Sequence, residues 1–230
     1  MKLPSLSTQR KIVVTLSAYD DLIENNLRRM KLLEESARLL YREWFVRLRF
    51  PGYEHTRIVN GVPEGWEKKQ LGDILTLNYG KALKESDRLE GPFFVYGSSG
   101  VVGTHNEALV KGPGIVVGRK GNVGSVYWAE GDFWPIDTVY FIESAQSNYF
   151  LFHSLQNQNF LNSDGAVPGL NRNYAYSLPV LLPKHTIREQ FEQTSAPIYE
   201  QITKLRTLNQ KLKAARDLLL PRLMSGEIAV

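Results

Sequence analysis

Two helix-forming segments, residues 12–45 and residues 198–224, look like copies of one another and enclose the middle of this chain. The copies align at an offset of 180 positions, so that Tyr19 falls on Tyr199 and Leu32 falls on Leu212. A long amphipathic helix has an apolar stripe that must pack against another element. The repeat therefore predicts two helices that pair with each other, with a separate globular domain between them.

Apolar side chains in the first copy follow one another at alternating steps of four and three, the spacing of a coiled-coil seam. The predicted interface positions of the first copy are Ile12, Leu16, Tyr19, Ile23, Asn26, Met30, Leu33, Ala37 and Leu40. Those of the second copy are Ile198, Ile202, Leu205, Leu208, Leu212, Ala215 and Leu219, with one step out of phase near Leu205. Because the first helix runs toward the middle domain and the second runs away from it, we expect an antiparallel pair.

Asn26 is the only strongly polar residue on the first stripe. A buried Asn at a seam position usually lowers stability while selecting one register and one number of partners. We interpret Asn26 as a residue that selects one pairing. The alternative is that its side chain faces solvent or the helix end.

The composition favours one globular domain with a helical arm. The chain has 230 residues, of which 43% are apolar, and it has no cysteine, so neither a disulfide framework nor a thiolate metal site is expected. We find no signal peptide and no apolar run near the ~20 residues that a membrane span requires. We therefore expect a soluble, cytoplasmic protein without membrane contact.

Basic residues are concentrated on the two predicted helices. The first helical part, residues 1–50, carries 10 Lys and Arg against 6 Asp and Glu; the middle domain, residues 51–183, carries 10 against 13; the second helical part, residues 184–230, carries 8 against 5. Binding to phosphates regardless of sequence grows with the number of charges neutralised. If the negative middle domain binds nucleic acid, it must do so through local patches.

Short apolar runs separated by glycines predict strands in the middle domain. They lie at residues 74–75, 93–96, 115–117, 126–128, 139–142 and 180–182. Ser147 or Asn148 can cap one helix from residue 149 to about residue 161; its predicted buried positions are Leu151, Phe152, Leu155 and Phe160. The predicted fold class is α+β, a mixed curved-sheet domain flanked by two long helices that form an antiparallel coiled-coil arm.

A glycine-rich loop at residues 118–124 is the first candidate for binding a nucleic acid. Its glycines let the backbone approach a ligand closely. The guanidinium of Arg119 fits guanine or phosphate, and the amide of Asn122 fits adenine. The loop is not a phosphate loop of the nucleotide-hydrolase kind, because the Gly-Lys-Ser/Thr step is absent. The alternative is a polar hairpin that only connects two strands.

Two further loops carry candidate base contacts. Ser98 and Ser99 follow a strand, where such residues often form only a turn. Asn171, Arg172 and Asn173 place two amides beside an arginine, which suits base edges but also suits turn geometry. We predict that replacing Arg119 or Asn171 by Ala relaxes specificity at one base pair.

Lysines are the candidate phosphate contacts. Lys81 and Lys84 follow Tyr79-Gly80, and Lys120 lies beside Arg119. Such lysines bind phosphates as point charges, although they more often form only a solvated face. If they bind phosphates, their removal reduces the salt dependence of binding.

Catalytic constellations are absent from the sequence. The four histidines, His55, His105, His153 and His185, show no metal-ligand spacing. Asp137 and Glu143 faintly resemble the carboxylates of metal-dependent nucleases, but Ala145 stands where that arrangement expects a lysine. We therefore expect no enzymatic activity, no metal and no cofactor on this chain. A nuclease stays an alternative that cleavage assays with metal would reveal.

Several segments resemble the specificity subunit of type I restriction-modification systems. Similar to its central helix are Gln9-Arg10-Lys11-Ile12 and residues 16–26 and 39–45. Similar to its target recognition domains are Pro63-Glu64-Gly65-Trp66, Gly118-Arg119-Lys120-Gly121 and residues 165–170 and 178–183. The segment from Glu189 onward resembles its second conserved helix. The resemblance covers essentially the whole chain.

The resemblance implies a non-catalytic subunit that binds double-stranded DNA and reads one half of a split target. It implies that the helices act as a ruler and bind methyltransferase subunits, which carry S-adenosylmethionine, and that a translocating nuclease subunit joins the complex. The 34 residues of the first helix predict an arm of roughly 50 Å, or about 15 base pairs of DNA.

The chain departs from the usual pattern because it has one recognition domain where typical specificity subunits have two. Two interpretations stay open: a half-subunit that pairs with a second copy of itself and reads a palindromic split site, or half of a longer protein. An alternative of another class is a coiled-coil scaffold whose middle domain binds a protein. The sequence does not indicate which bases are read or the length of the gap.

Overall fold

The structure is a computed structural model and describes residues 4–160 and 169–229. The chain divides into two compact units. One consists of Met1–Leu40 with Gln193–Val230, and the other consists of Tyr41–Glu192. The first is the helical unit and the second is the mixed unit.

The helical unit is an antiparallel pair formed by α1 (Leu6–Tyr41) and α4 (His185–Ser225). The direction is clear from two contacts, because Asp20 pairs with Arg216 and Asn26 pairs with Asn209. As the residue number increases along α1, the residue number of its contact on α4 decreases, so the helices are antiparallel. The predicted α+β class with an antiparallel helical pair is confirmed.

The predicted stripe of α1 faces α4 along most of its length. Ile12, Ile23, Met30 and Ala37 are buried, and Leu16, Tyr19, Leu33 and Leu40 are half-buried. Asn26 is buried at 5% exposure, so its side chain lies in the seam and not in solvent. On α4, Ile202 and Leu205 are buried, and Ile198, Leu212, Ala215 and Leu219 are half-buried.

One predicted seam position is wrong. Leu208 is 46% exposed, whereas its neighbour Asn209 is buried at 6% exposure. Asn209 lies four residues after Leu205 and three before Leu212, so the regular seam spacing runs through it. Hydrophobicity favoured Leu208, but helix geometry places the amide inside. Tyr199 and Leu223 are further buried seam positions that the prediction missed.

The helix ends also differ from the prediction. The α-helix α1 ends at Tyr41 and continues as a π-helical turn over Arg42–Val46, and the backbone leaves helical geometry where Leu48 adopts a φ of 58°. The helix α4 begins at His185 and continues through Pro197, although proline removes one helical hydrogen bond. The helix is packed on both sides of Pro197, since Ser195 and Tyr199 are buried.

The mixed unit contains eleven described strands in four small sheets, where the sequence predicted a single curved sheet. The strands are β1 (Ile58–Val59), β2 (Val62–Pro63), β3 (Glu67–Gln70), β4 (Asn78–Tyr79), β5 (Phe93–Gly97), β6 (Gly100–His105), β7 (Gly114–Gly118), β8 (Val126–Ala129), β9 (Phe133–Pro135), β10 (Val139–Ile142) and β11 (Pro179–Leu182). Short strands between frequent glycines favour separate sheets, since each turn redirects the chain.

Two of these sheets form the centre of the mixed unit. One has the order β4-β10-β7-β8 with antiparallel neighbours. The other has the order β6-β5-β9, in which β5 pairs with β9 in parallel. Their buried side chains meet in one cluster, which contains Tyr96, Val110, Val116, Ala129, Phe133, Val139 and Phe141.

The strand predictions from apolar runs are confirmed at β5, β7, β8, β10 and β11, and the prediction at residues 74–75 is wrong. Ile74 and Leu75 follow a 3₁₀ turn at Leu71–Asp73, so Leu75 is buried without being in a strand. The strands β1 to β4, β6 and β9 were missed because they are short, polar or rich in glycine.

The predicted helix of the mixed unit is α2 (Tyr149–Gln156). Asn148 is its N-cap and accepts a hydrogen bond from the Leu151 amide at 2.8 Å. The Glu192 carboxylate accepts hydrogen bonds from the amides of Tyr149 and Phe150 at 2.9 and 2.7 Å. The helix is shorter than predicted, and Phe160 is buried beyond its end.

Candidate nucleic-acid interface

The first part of the candidate interface is the tip of the β5–β6 hairpin. Ser98 and Ser99 form the turn between the paired residues Gly97 and Gly100, and Gly100 has a φ of +96°, which favours glycine. Ser98 is half-buried and Ser99 is exposed. The Ser98 carbonyl accepts a hydrogen bond from the Ser125 hydroxyl at 2.6 Å, so this tip is attached to the β7–β8 loop.

The β7–β8 loop, residues 118–124, folds back on itself beside that tip. The Gly124 amide donates to the Gly118 carbonyl at 2.9 Å, and the Ser125 hydroxyl donates to the Asn122 carbonyl at 2.9 Å. A side chain at Gly118 would meet the Asn122 carbonyl oxygen at 2.2 Å, so this position requires glycine. Asn122 is exposed at the loop tip. The loop is a hairpin connection that also presents polar side chains.

The third part is the segment that leads from Gly169 into α3 (Arg172–Ser177). The Leu170 amide donates to the Arg119 carbonyl at 2.8 Å, and Lys120 forms an isolated antiparallel bridge with Gly169. This segment therefore lies beside the β7–β8 loop. Residues 164–168 of the predicted recognition loop lie outside the described residues.

Asn171 is the N-cap of α3. Its side-chain oxygen accepts hydrogen bonds from the amides of Asn173 and Tyr174 at 2.8 and 3.2 Å. A bidentate contact with adenine needs both the amide oxygen and the amide nitrogen, so Asn171 cannot make that contact while it caps the helix. Asn173 is exposed and is the better candidate for a base edge in this segment.

Tyr79 contacts two arginines that are distant in sequence. The guanidinium carbon of Arg119 lies 5.1 Å from the centroid of the Tyr79 ring, and that of Arg172 lies 5.0 Å from the same centroid. Arg119 also donates to the Asp137 carbonyl at 3.0 Å and lies 5.7 Å from the Tyr140 ring. These contacts are within the range of cation–π attraction.

Tyr140 contacts both Tyr79 and the Leu170 segment. Its hydroxyl donates to the Leu170 carbonyl at 3.0 Å, and its ring centroid lies 5.1 Å from that of Tyr79. Burial raises the pKa of Tyr140 to about 12, helped by a hydrogen bond with Tyr79. Tyr140 therefore stays a neutral hydrogen-bond donor at physiological pH, which keeps the Leu170 segment in place.

Of the three lysines predicted to contact phosphates, only Lys120 lies within one of the three loops. Lys120 lies in the β7–β8 loop, and its ammonium is 3.9 Å from the Asp137 carboxylate. The ammonium of Lys81 lies 5.8 Å from the Trp134 ring, and the Lys81 amide bonds the Pro135 carbonyl at 2.9 Å. Lys84 is exposed at the start of a separate 3₁₀ turn, Glu85–Asp87.

The fold thus brings together most of the residues predicted from the three loops, namely Ser98, Ser99, Arg119, Lys120, Asn122, Asn171, Arg172 and Asn173. It adds Tyr79, Tyr140 and Asp137, which the sequence analysis did not include as contacts. The signal for Tyr79 was weak, since a tyrosine before a glycine fits a strand end equally well. Only the pairing of β4 with β10 places it beside Arg119.

The described residues contain no cluster of three or more His, Cys, Asp or Glu side chains that can hold a metal ion. The two buried histidines of the mixed unit have structural partners: His105 accepts from the Leu89 amide at 3.1 Å, and His153 stacks on Tyr41. No helix in the described ranges is long and apolar enough to cross a membrane.

A domain between two long helices, with cationic and amide-bearing loops meeting on one surface, is the architecture expected of a DNA specificity subunit. The sequence matches the family described as Type I restriction modification DNA specificity domain over residues 63–215. The chain therefore belongs to this family of type I restriction-modification specificity subunits, and it holds a single target recognition domain.

Two similar proteins are specificity subunits of type I restriction enzymes. The Type I restriction enzyme MjaIX specificity subunit of Methanocaldococcus jannaschii is 27% identical over 261 residues, covering 99% of this chain and 60% of that protein. The Type I restriction enzyme HindI specificity subunit of Haemophilus influenzae is 23% identical over 315 residues, covering 99% of this chain and 69% of that protein.

A solved structure shows the same fold. The crystal structure of the S subunit of a type I restriction-modification system from M. genitalium superimposes with a TM-score of 0.69 at 20% identity. The match covers 96% of this chain and 61% of that chain. This chain thus spans about 60% of the length of the M. jannaschii and M. genitalium relatives.

Proposed function

We propose that this chain is the non-catalytic DNA-recognition part of a type I restriction-modification complex, and that it reads one half of a bipartite target. The observation that carries the proposal is the meeting of three loops, at residues 98–99, 118–124 and 169–173, on one surface of the mixed unit. Their exposed amides and cations suit nucleic acid, and family membership makes double-stranded DNA the expected ligand.

In this proposal, exposed polar side chains at the loop tips contact base edges. Ser99, Asn122 and Asn173 are exposed and carry the hydroxyl and amide groups that hydrogen-bond to bases. Lys81, Lys84 and Lys120 contact phosphates, which position the protein without reading sequence. Lys120 contributes least of the three, because Asp137 partly neutralises it.

The helical pair has two proposed roles, as a spacer and as a dock for methyltransferase subunits. The 36 residues of α1 extend about 54 Å, enough to separate two readers by more than one turn of DNA. Large apolar side chains stay exposed on both helices, among them Val14, Leu32 and Leu218 at 70%, 69% and 66%. These side chains are the candidate contacts for the methyltransferase subunits.

The chemistry of the complex belongs to its partners in this proposal. S-adenosylmethionine is bound by the methyltransferase subunits, and a translocating nuclease subunit supplies cleavage. A second recognition domain comes from a second copy of this chain or from the rest of a longer subunit. Because modification and restriction act on cellular DNA, the expected location is the cytoplasm.

Selection of DNA from a randomised duplex pool tests the proposal. The full chain, alone and with a methyltransferase partner, is incubated with the pool, and the bound duplexes are separated by gel shift and sequenced. We expect enrichment of a defined half-site, with Asn122→Ala and Asn173→Ala each relaxing one position at a cost of about 1–3 kcal/mol. The exposed residue Glu54 lies outside the three loops, so Glu54→Ala serves as the control and should select the same site.

Three outcomes contradict the proposal. Retention of duplexes without any enriched sequence, or no retention at all, favours a coiled-coil scaffold whose middle domain binds a protein. Cleavage of the pool by the chain alone in the presence of Mg²⁺ favours a nuclease.

A further inference from the structure

Two guanidinium groups share one aromatic ring in the candidate interface. Arg119 comes from the β7–β8 loop and Arg172 from the start of α3, yet their guanidinium carbons lie 5.1 and 5.0 Å from the centroid of Tyr79. The two charges therefore can be no further apart than the sum of these distances. Tyr79 is 50% exposed, so the group lies at the surface and not in the core.

The charges in this group do not cancel. Among the described residues, neither Arg119 nor Arg172 forms an ion pair with a carboxylate; the Asp137 carboxylate faces Lys120 instead, at 3.9 Å. Arg119 bonds the Asp137 carbonyl oxygen, which carries no full charge. In the described part of the chain, three cations therefore lie beside one carboxylate. Like charges this close repel each other, so the arrangement is stabilised when an anion binds between them.

The arginines are held in place before any ligand binds. Arg119 has one N–H donated to Asp137 at 3.0 Å, and its backbone amide bonds Thr138 at 2.9 Å. Arg172 follows the Asn171 cap of α3. Tyr79 itself is fixed by the pairing of β4 with β10, in which it lies opposite Tyr140. Such preorganisation reduces the entropy that binding must overcome.

We propose that Arg119 and Arg172 together bind one backbone phosphate of the DNA, and that Tyr79 is the positioning residue that holds both guanidinium groups for this contact. The inference rests on the proposed function and assigns a role within the same site. It replaces the prediction that Arg119 reads a base, and it leaves base reading to the exposed hydroxyl and amide side chains.

The phosphate assignment follows from geometry and charge. A guanine edge in the major groove accepts one arginine fork, so a second guanidinium beside the same ring adds repulsion without adding a contact. A phosphate carries a full negative charge and several acceptor oxygens, and planar guanidinium groups bind it with paired hydrogen bonds. Two arginines on one ring therefore match a phosphate better than a base.

The first test measures binding of the full chain to the selected half-site duplex, to variants of that duplex with one base pair changed, and to one duplex of unrelated sequence. Each is measured over a series of KCl concentrations. A phosphate contact contributes about −0.9 to the slope of log K against log salt concentration. We expect Arg119→Gln and Arg172→Gln each to weaken binding about tenfold on every duplex, and the double variant Arg119→Gln/Arg172→Gln to reduce the slope by about one, since both arginines share one phosphate. Arg172→Lys keeps the charge and should keep the slope.

The second test addresses Tyr79. Tyr79→Phe keeps the ring, so its affinity should stay within about twofold of that of the unmodified chain and its salt slope should be unchanged. Tyr79→Leu removes the ring and should weaken binding and reduce the salt slope as the arginine variants do. Thermal unfolding of each variant checks that the fold is kept. Arg57, an exposed arginine in the same unit away from the three loops, provides the matched control, because Arg57→Gln should change neither quantity.

The outcomes separate this inference from the proposed function. Loss of discrimination at one base pair with an unchanged salt slope, on Arg119→Gln or Arg172→Gln, shows base reading and overturns the phosphate assignment alone. A folded Tyr79→Leu variant with unchanged slope and affinity overturns the positioning role. Failure of the unmodified chain to bind any duplex overturns the proposed function and this inference with it.

Discussion

Asn26 and Asn209 place two amides inside an otherwise apolar helical seam. The Asn26 amide nitrogen donates to the Asn209 side-chain oxygen at 2.8 Å, and the Asn209 amide nitrogen donates to the Ile23 carbonyl at 3.2 Å. A buried amide is tolerated when it is hydrogen-bonded and is costly when it is not. The pair therefore favours the one register in which the two side chains meet.

Replacing only one of the two amides should destabilise the helical pair. Asn209→Leu leaves the Asn26 amide buried without its acceptor, so we expect the free energy of unfolding to fall by about 1–3 kcal/mol. The double variant Asn26→Leu/Asn209→Leu should recover most of this loss. Urea unfolding measures the free energy of unfolding of the single and the double variant. The control Leu208→Asn changes the exposed neighbour and should shift stability by less than about 0.5 kcal/mol; equal effects of Asn209→Leu and this control contradict the seam assignment.

Glu192 gives the mixed unit a pH-dependent contribution to stability. Burial raises the pKa of this carboxyl above its ordinary value of 4.5, although two backbone amides and Arg188 oppose the shift. A raised folded pKa means that protonation favours the folded state. The contribution of Glu192 is therefore fully present below pH 4.5 and is lost as the pH rises through the raised value.

The stability difference between the unmodified chain and Glu192→Gln should accordingly fall as the pH rises from below 4.5 toward neutrality. Unfolding by urea at a series of pH values measures it. Glu200→Gln is a suitable control because Glu200 is exposed on the same helix. A difference that stays constant or grows with pH contradicts the account of Glu192.

The elements that the sequence predicted best are those with a strong local pattern. The seam spacing predicted α1 and its stripe, and apolar runs predicted β5, β7, β8, β10 and β11. Asn209 and Tyr79 were missed for a different reason, because an amide in a seam and a tyrosine in a two-residue strand acquire their roles only from partners distant in sequence. The path of α4 through Pro197 was likewise missed, since packing outweighs the local cost of proline.

A charge placed in the seam tests whether the two helices depend on each other. Ile23→Glu and Met30→Glu bury a carboxylate at positions that are 7% and 9% exposed, so each should lower the free energy of unfolding by about 3 kcal/mol or more. Leu32→Glu, at a position 69% exposed on the same helix, is the matched control and should have little effect. Circular dichroism during urea unfolding and sedimentation provide the readout; unaltered stability and oligomeric state contradict the pairing.

The proposed surface exists only in the folded chain. Its parts lie at residues 79, 98–99, 118–124 and 169–173, and strand pairing and loop contacts bring them together. No local pattern predicts which loops of a mixed unit will meet, because that depends on the order of strands in the sheets. The family resemblance supplied the function at the level of the whole chain, and the structure supplied the arrangement of the site.

The spacer role predicts that helix length sets the gap between two half-sites. Inserting one heptad into α1 and a matching heptad into α4 lengthens each helix by about 10.5 Å, which corresponds to about three base pairs. A seven-residue insertion after the exposed residue Gly61 provides the control. Selection from the randomised pool should show a longer gap only for the helix variant, and an unchanged gap contradicts the spacer role.

Hydrogen–deuterium exchange of the full chain, with and without its selected duplex, tests the central claim most directly. We expect DNA to slow amide exchange at residues 98–99, 118–124 and 169–173 together, since one surface contains all three segments. Residues 53–57, which lie outside these segments, should exchange at the same rate with and without DNA. Protection confined to the helices, or to one loop without the other two, contradicts the claim that these loops form a single DNA-reading surface.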